Sequence, residues 1–209
     1  GRNGIKVLQR RLLSGRFHEI NVLESMGFHL IDNVVTLIAP VKNILSATRK
    51  QGNNLVFRSP VRSELDTLLA MTRGAFPYSR FINDRVLSAD LGNDLYLKWL
   101  ARLFEDVGED ITTGASNQGM IVAILKDRIA GYVAYRIDRT SAQVFEKCIA
   151  SIELIVVDPA FQGKGIGQNL FREVSRVLND SGVDLLESST WINQRLAMAS
   201  NQKAGLRVC

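Results

Sequence analysis

The residues from Ile152 to Gly167 combine an apolar strand with a glycine-rich turn that leads into a helix. The stretch runs IELIVVDPAFQGKGIG, and an amphipathic segment follows it. Alternating glycines keep side chains out of the turn, so backbone N–H groups can converge on an anion. The following helix adds unpaired N–H groups and the positive end of its dipole, and Lys164 adds a cation. Together these features predict a cradle for a diphosphate.

Two common phosphate-binding turns do not fit this spacing. A P-loop requires Gly-Lys followed by Ser or Thr, but Gly165 follows Lys164. A dinucleotide-binding turn requires G-x-G-x-x-G, but Gln168 stands where its third glycine belongs. What remains is Gln-x-x-Gly-x-Gly over residues 162–167, preceded by Val-Asp-Pro. A plain tight turn between a strand and a helix is the alternative interpretation.

In this strand–turn–helix context, the turn resembles the pyrophosphate loop of the GNAT family of acetyl-CoA-dependent N-acetyltransferases. That loop is (Gln or Arg)-x-x-Gly-x-(Gly or Ala), between the family's fourth strand and third helix. The matching residues are Gln162, Gly163, Lys164, Gly165, Ile166 and Gly167. The resemblance covers about residues 54–209. It implies an α/β fold, in which helices flank a mixed, mostly antiparallel sheet with splayed fourth and fifth strands.

The resemblance also implies how acetyl-CoA binds as cosubstrate. The pantetheine arm would lie between the splayed strands and pair with the fourth strand like an added strand. The backbone contacts would come from Ile155, Val156 and Val157, and the loop residues 162–167 would hold the pyrophosphate.

The implied reaction is the attack of a neutral primary amine on the thioester carbonyl. Catalysis then requires proton removal from an ammonium group and donors to the developing oxyanion. Glu153 is the best-placed carboxylate for the base, directly or through water, and the alternative is a solvated or salt-bridged strand residue. The backbone N–H of Val157 is the candidate oxyanion donor. No covalent nucleophile is needed.

A second family pattern follows the loop: Asn, then Ala, Tyr and Gly-Phe at set spacings. The nearest match is Asn193, Ala197, Asn201 and Gly205-Leu206, which assigns Asn193 to cofactor binding. Asn193 comes one residue early, so Gln194 competes for that role. The family's Tyr, often proposed to protonate the CoA thiolate, falls on Asn201. Because neutral Asn is a poor acid, another group or water must supply this proton.

The order of several further segments is similar to TDP-fucosamine-type N-acetyltransferases, which acetylate the 4-amino group of a TDP-linked amino sugar. Those segments are residues 21–28, Phe81-x-x-Asp84 and residues 95–100. This resemblance implies a small-molecule amine acceptor, a sugar nucleotide, contacted by Phe81, Asp84 and Tyr96. Core packing is the alternative for the two aromatic residues. The other candidate functions are acetylation of a peptide or protein N terminus or a small amine, and a non-catalytic acetyl-CoA-binding module.

Apolar periodicity predicts the elements that position these residues. The pattern of strand, helices, hairpin, strand, turn, helix, strand and helix is typical of a mixed α/β domain. Helices are predicted over 4–13, 19–27, 94–105, 165–179 and 195–204, and a further helix is predicted to begin near Ser63 and to end before Gly74 and Pro77. One or two strands are predicted over 28–38, and single strands over 55–58, 120–125, 129–137, 150–157 and 184–189.

Composition excludes several classes of protein. The net charge is +5, but five basic residues between Arg2 and Arg16 precede the first acidic residue, Glu19, and the remainder has 21 basic and 21 acidic side chains. This distribution argues against a nucleic-acid-binding face. No apolar run approaches the roughly 20 residues of a membrane span. Cys148 and Cys209 form no motif, which predicts no metal site and favours the reducing cytoplasm.

The chain is predicted to have two parts. Residues 1–42 form an N-terminal segment that resembles the remnant of a half-GNAT domain, and residues 54–209 form the acetyltransferase domain. The family continues through one or two strands after Gly205-Leu206, where only three residues follow here. The sequence is therefore expected to be incomplete or to borrow strands from a partner, for which a second copy in a homodimer is one candidate.

Overall fold

The computed structural model of the chain describes residues 8–47, 54–84, 87–106 and 117–209. The strands, in chain order, are β1 (Val34–Pro40), β2 (Val56–Arg58), β3 (Gln118–Leu125), β4 (Arg128–Asp138), β5 (Ile149–Val157), β6 (Leu185–Trp191) and β7 (Arg207–Val208). The helices are α1 (Phe17–Ser25), α2 (Val41–Ala47), α3 (Leu65–Thr72), α4 (Arg80–Asn83), α5 (Ala89–Asp106), α6 (Ser141–Phe145), α7 (Ile166–Asp180) and α8 (Arg195–Lys203). Short 3-10 turns precede α3 and α7.

The described strands form one seven-stranded sheet in the order β2-β3-β4-β5-β6-β1-β7. Every pairing is antiparallel except that of β5 with β6, which is parallel. The predicted α/β fold, with a mixed and mostly antiparallel sheet flanked by helices, is confirmed.

Each face of the sheet packs against its own helices, because side chains alternate between the two faces of a strand. On one face, α2 and α7 supply apolar side chains such as Ile44, Leu170 and Phe171, all fully buried. On the other face, α3 and α5 supply Leu68 and Leu100. The helical spacing of Ile166, Leu170, Val174 and Leu178 explains why one stripe of α7 is buried.

Strand β1 joins the N-terminal segment to the sheet. It pairs with β6 from Val34 opposite Trp191 to Pro40 opposite Leu185, and its other edge pairs with β7. Residues 34–40 of the predicted N-terminal segment therefore share one sheet with the predicted 54–209 domain, and β1 takes the place beside β6. The division of the chain into two parts stays a prediction.

Several predicted element bounds differ from those observed. The helix predicted over 4–13 is absent from residues 8–13, and residues 4–7 lie outside the described residues. Leu8 and Leu13 are exposed there, and a short helix without a packing partner is only marginally stable in water. The helices α2, α4 and α6 and the strand β7 were not predicted, and α5 begins five residues before its predicted start. The strand region predicted over 28–38 is a strand only from Val34 onward. Most of the loop predicted over 108–119 lies outside the described residues.

Two further observations bear on function. Among the described helices, none has both the length and the apolar character that crossing a membrane requires. Within the same residue ranges, His, Cys, Asp and Glu side chains form no group of three or more that could hold a metal ion.

Candidate active site

Strands β5 and β6 run side by side only near their beginnings. Their parallel pairing ends at Ile152 opposite Ser188, although β5 continues to Val157. The register of β5 against β4 shifts at the same point, and Glu153 is the extra residue of the resulting bulge. A bulge bends its strand and increases the local twist. The predicted splay between the fourth and fifth strands of the family is therefore the gap between β5 and β6, and it opens at Glu153.

Beyond the bulge, the backbone of β5 offers hydrogen-bonding groups to this gap. The N–H of Asp158 donates to the carbonyl of Ala130 at 3.0 Å, and alternate residues of an antiparallel ladder turn their backbone groups to the same neighbour. The backbone groups of Val156 therefore face β4, and those of Ile155 and Val157 face the gap. Of the three residues predicted to pair with pantetheine, only Ile155 and Val157 present their backbone to the gap.

The glycine turn ends β5 and begins α7. Gly163 and Gly165 have φ values of 76° and 73°, in the left-handed region that glycine adopts without strain. A Cβ added at Gly163 would meet nothing within 4 Å, so the space above the turn is open. The first N–H groups of α7 have no intrahelical acceptor, as at any helix N terminus. An open cradle at a helix N terminus fits a diphosphate.

Side chains of the turn hold it in shape. Asp158 caps the 3-10 turn by accepting a hydrogen bond from the N–H of Ala160 at 2.8 Å. Gln162 Nε2 donates to the carbonyl of Val157 at 3.3 Å. The Lys164 ammonium donates to the carbonyl of Ala160 at 3.3 Å and lies 5.1 Å from the ring centroid of Phe161. Local bonds therefore fix the turn before any ligand arrives.

A continuous cleft of about 1930 Å³ runs from the glycine turn along the gap between β5 and β6. Single small-molecule sites commonly measure about 300–1,000 Å³, so this cleft has room for two substrates. Every predicted cofactor-binding residue of β5 and of the turn lines it. Asn193 does not line the cleft and is exposed in the turn before α8, whereas its competitor Gln194 does line it. Asn201 is buried and also lines the cleft.

Two carboxylates lie where the gap opens. Glu153 lines the cleft with its side chain 13% exposed, and its Oε2 is 3.3 Å from Nη2 of Arg136. Glu187 of β6 also lines the cleft, opposite Ser151 in the parallel register. Burial raises the pKa of the Glu187 carboxyl, and the nearby charges of Glu153 and Asp138 raise it further. Sequence reasoning missed Glu187, because only the strand register places it beside Glu153.

Five aromatic side chains that pack on one another line the other half of the cleft, and we call them the aromatic wall: Phe76, Phe81, Tyr96, Trp99 and Trp191. Tyr96 lies at the centre, stacked on Phe76 at 4.5 Å and on Trp99 at 5.9 Å between ring centroids. The ring of Phe81 meets Tyr96 edge-on at 6.0 Å. Phe81 and Tyr96, predicted as acceptor contacts, therefore lie together at the cleft, and they also pack on one another.

Other residues around the aromatic wall depart from the predicted set. Asp84, the third predicted acceptor contact, ends α4 and does not line the cleft. Asp32 does line it, and its Oδ2 accepts a hydrogen bond from Nε1 of Trp191 at 3.0 Å. The hydroxyl of Tyr96 donates to Oγ of Ser79 at 2.8 Å, and burial raises the pKa of Tyr96. The N-terminal segment thus contributes to the site, which no local sequence signal indicated.

A model of the acetyltransferase (GNAT) family matches residues 87–203, which include β5, the glycine turn, α7, β6 and α8. The chain belongs to this family. The family assignment confirms the predictions of an N-acetyltransferase-type enzyme and of acetyl-CoA as its cosubstrate at the level of the family. The more specific TDP-fucosamine resemblance stays a prediction.

Solved structures agree with the fold. A conserved protein of unknown function from Staphylococcus epidermidis is 15% identical with a TM-score of 0.61, over 96% of this chain and 65% of that protein. A possible acetyltransferase from Clostridium difficile is 15% identical with a TM-score of 0.55, over 74% and 91% of the two chains. The aminoglycoside N-acetyltransferase AAC(6')-Iy in complex with CoA is 15% identical with a TM-score of 0.51, over 75% and 90%. A search of curated protein sequences returned no match.

Proposed function

We propose that this chain transfers the acetyl group of acetyl-CoA to a primary amine bound against the aromatic wall. One observation carries the proposal: the free backbone edge of β5 leads directly into an open glycine cradle at the start of α7. An extended pantetheine arm needs the first feature, and the pyrophosphate of CoA needs the second. Their order along one strand matches the order of these two groups in the cosubstrate.

The proposed cosubstrate contacts follow from this arrangement. The backbone groups of Ile155 and Val157 hydrogen-bond the pantetheine arm. The N–H groups of residues 163–167 hold the pyrophosphate, and the Lys164 ammonium adds positive charge beside them. On the α8 side the contact is Gln194 and not Asn193, because Gln194 lines the cleft.

The proposed chemistry begins with proton removal from the acceptor ammonium. Glu153 takes this proton directly or through water, and the freed nitrogen attacks the thioester carbonyl. The N–H of Ile155, which is nearer to Glu153 along the strand than Val157, donates to the oxyanion. This attack forms the C–N bond. As the tetrahedral intermediate collapses, the C–S bond breaks and the nitrogen releases its second proton to water. The proton on Glu153, or one from water, then neutralises the departing thiolate, since Asn201 has no acidic proton.

We propose an amino sugar linked to a nucleotide as the acceptor. The aromatic wall supports this class, because stacked rings form an apolar surface for a sugar face or a nucleobase. A peptide N terminus and a small amine are the competing acceptors. Asn201, at the position of the family's Tyr, favours a module that binds acetyl-CoA without turnover, and this is the second candidate function.

Thiol release from acetyl-CoA in the presence of an amine panel tests the proposal. The panel contains a TDP-linked 4-amino sugar, aminoglycosides, peptides with free N termini and small diamines. Turnover on the sugar nucleotide alone supports the proposed acceptor, and turnover on another amine keeps acetyl transfer but replaces the acceptor. Binding of CoA, measured by calorimetry, without turnover on any amine would favour the non-catalytic module.

A further inference from the structure

Arg80 lines the cleft with one buried nitrogen, Nε, that has no hydrogen-bond partner in the part of the chain that the structure describes. Arg80 is the first residue of α4 and lines the half of the cleft that contains the aromatic wall, which we call the acceptor half. Its guanidinium carbon lies 4.6 Å from the ring centroid of Phe81. Its Nε atom is buried, and among the described residues it meets no hydrogen-bond acceptor. A buried N–H without an acceptor is unfavourable, so a ligand oxygen at this position would relieve a cost of the unliganded protein.

The backbone at Arg80 is firmly held. Ser79, fully buried, caps α4 by accepting a hydrogen bond from the N–H of Phe81 at 3.1 Å, and it also accepts one from the Tyr96 hydroxyl. A Cβ added at Gly92 of α5 would collide with the carbonyl oxygen of Phe81, so α4 lies directly on α5. This packing fixes where Arg80 enters the cleft, which is the preorganisation that a specificity residue requires.

Charged residues of both signs line the cleft together with Arg80. Arg11 and Arg73 are among them, and so is Asp32, which already accepts a hydrogen bond from Trp191. A guanidinium stacked on an aromatic face keeps its edge N–H groups free for the paired oxygens of a carboxylate or a phosphate.

We propose that Arg80 binds an anionic group of the amine acceptor, a phosphate or a carboxylate, and so selects amines that also carry a negative charge. The inference rests on the proposed function in placing the acceptor in this half of the cleft. A sugar phosphate and a peptide C terminus are the two sources of such an anion, and the acceptor pairs below separate them.

Matched acceptors give the first test. Glucosamine 1-phosphate is compared with glucosamine, and a dipeptide with its C-terminal amide, at saturating acetyl-CoA. We expect kcat/KM to be about tenfold or more higher for the anionic member of one pair, a ratio typical of one charge-assisted hydrogen-bonding group. Arg80→Gln should remove that preference and spare the neutral acceptor, and Arg80→Lys should retain part of it. Equal loss on both members of the pair, or an unchanged preference, would overturn the inference.

A binding test does not depend on turnover. The chain has two tryptophans, Trp99 and Trp191, and both line the cleft, so intrinsic fluorescence reports on its acceptor half. With CoA saturating the glycine turn, inorganic pyrophosphate is titrated as the probe. We expect a saturable fluorescence change that weakens about tenfold in Arg80→Gln and is unaltered in Arg62→Gln, an exposed arginine outside the cleft.

The two tests separate this inference from the proposed function. If no amine is acetylated but pyrophosphate binding depends on Arg80, the result supports the anion site and contradicts the proposed acetyl transfer. If amines are acetylated and Arg80→Gln binds pyrophosphate as the wild type does, the anion site fails alone. Retained CoA affinity in Arg80→Gln shows that the variant is folded.

Discussion

The glycine-turn half of the cleft and its aromatic half are assembled from different amounts of the chain. In the first half, the proposed cosubstrate contacts come mostly from a single run, residues 153–167, and are mainly backbone groups. The second half combines side chains from the N-terminal segment, the residues before α4, α4 itself, α5 and the end of β6. A continuous run is shaped by its own turns and caps, whereas a composite wall exists only when distant elements pack together.

This difference suggests how the two substrates are recognised. Under the proposed function, backbone groups bind a fixed, extended cosubstrate, and such contacts tolerate many side chains in the strand. A side chain on one element can be substituted without changing the side chains on the others. A site built from several elements can therefore be adapted to a particular acceptor. Substitutions in one half should therefore change CoA affinity, and substitutions in the other half should change acceptor kinetics.

The largest effect is expected from Gly165→Glu. The new side chain would meet a left-handed backbone at φ 73° and place a negative charge in the proposed pyrophosphate cradle. CoA affinity measured by calorimetry should fall by at least about 100-fold, the scale of a lost cluster of charge-assisted bonds. Gly182→Glu is the matched control, because Gly182 has φ 74° in an exposed turn outside the cleft. Unaltered CoA binding in Gly165→Glu would contradict the cradle.

Glu153→Gln should separate chemistry from binding. The amide cannot accept the acceptor's proton, so kcat should fall by about 10²- to 10³-fold while CoA affinity is retained. Glu173→Gln, which removes an exposed ion pair with Arg176 on α7, serves as the control. If Glu153→Gln keeps its activity and Glu187→Gln loses it, the base is Glu187 instead.

Gly92→Ala should damage only the aromatic half. The added methyl group would push Phe81 and α4 away from α5. Overpacking of this kind typically costs about 1–3 kcal/mol, and the acceptor KM should rise by about tenfold with CoA affinity unchanged. Gly15→Ala, where an added Cβ meets nothing within 4 Å, controls for the substitution itself. An equal loss of CoA affinity would show that the two halves are coupled.

The smallest effect is expected from Glu187→Gln, measured as stability against pH. Because the pKa of Glu187 is raised, the native state holds this proton more tightly than the unfolded chain does. Native stability therefore falls as the pH rises from the ordinary value of 4.5 through the raised pKa. The variant should melt at a higher temperature than the wild type at pH 7, with a difference that shrinks toward pH 4. Glu24→Gln, on the exposed face of α1, should show no such difference.

Sequence-local features could be predicted well. The glycine turn, the apolar strand before it and the amphipathic helix after it were located within one or two residues, because each depends on the spacing of neighbouring residues. The hairpin of β3 and β4 followed for the same reason. The helix expected over 4–13 failed across residues 8–13, because its apolar spacing had no surface to pack against.

The sequence by itself determined the family, the glycine turn and the helix that follows it. The tertiary structure alone decided that β1 lies beside β6, that Gln194 and not Asn193 lines the cleft, and that Glu187 lies in the strand beside the Glu153 bulge. It also brought Asp32 to Trp191, across 159 residues of chain. Contacts within one turn or strand are fixed by short-range geometry. Pairing between distant elements depends instead on the summed packing of the whole sheet. The spacing of residues along the chain does not predict that packing.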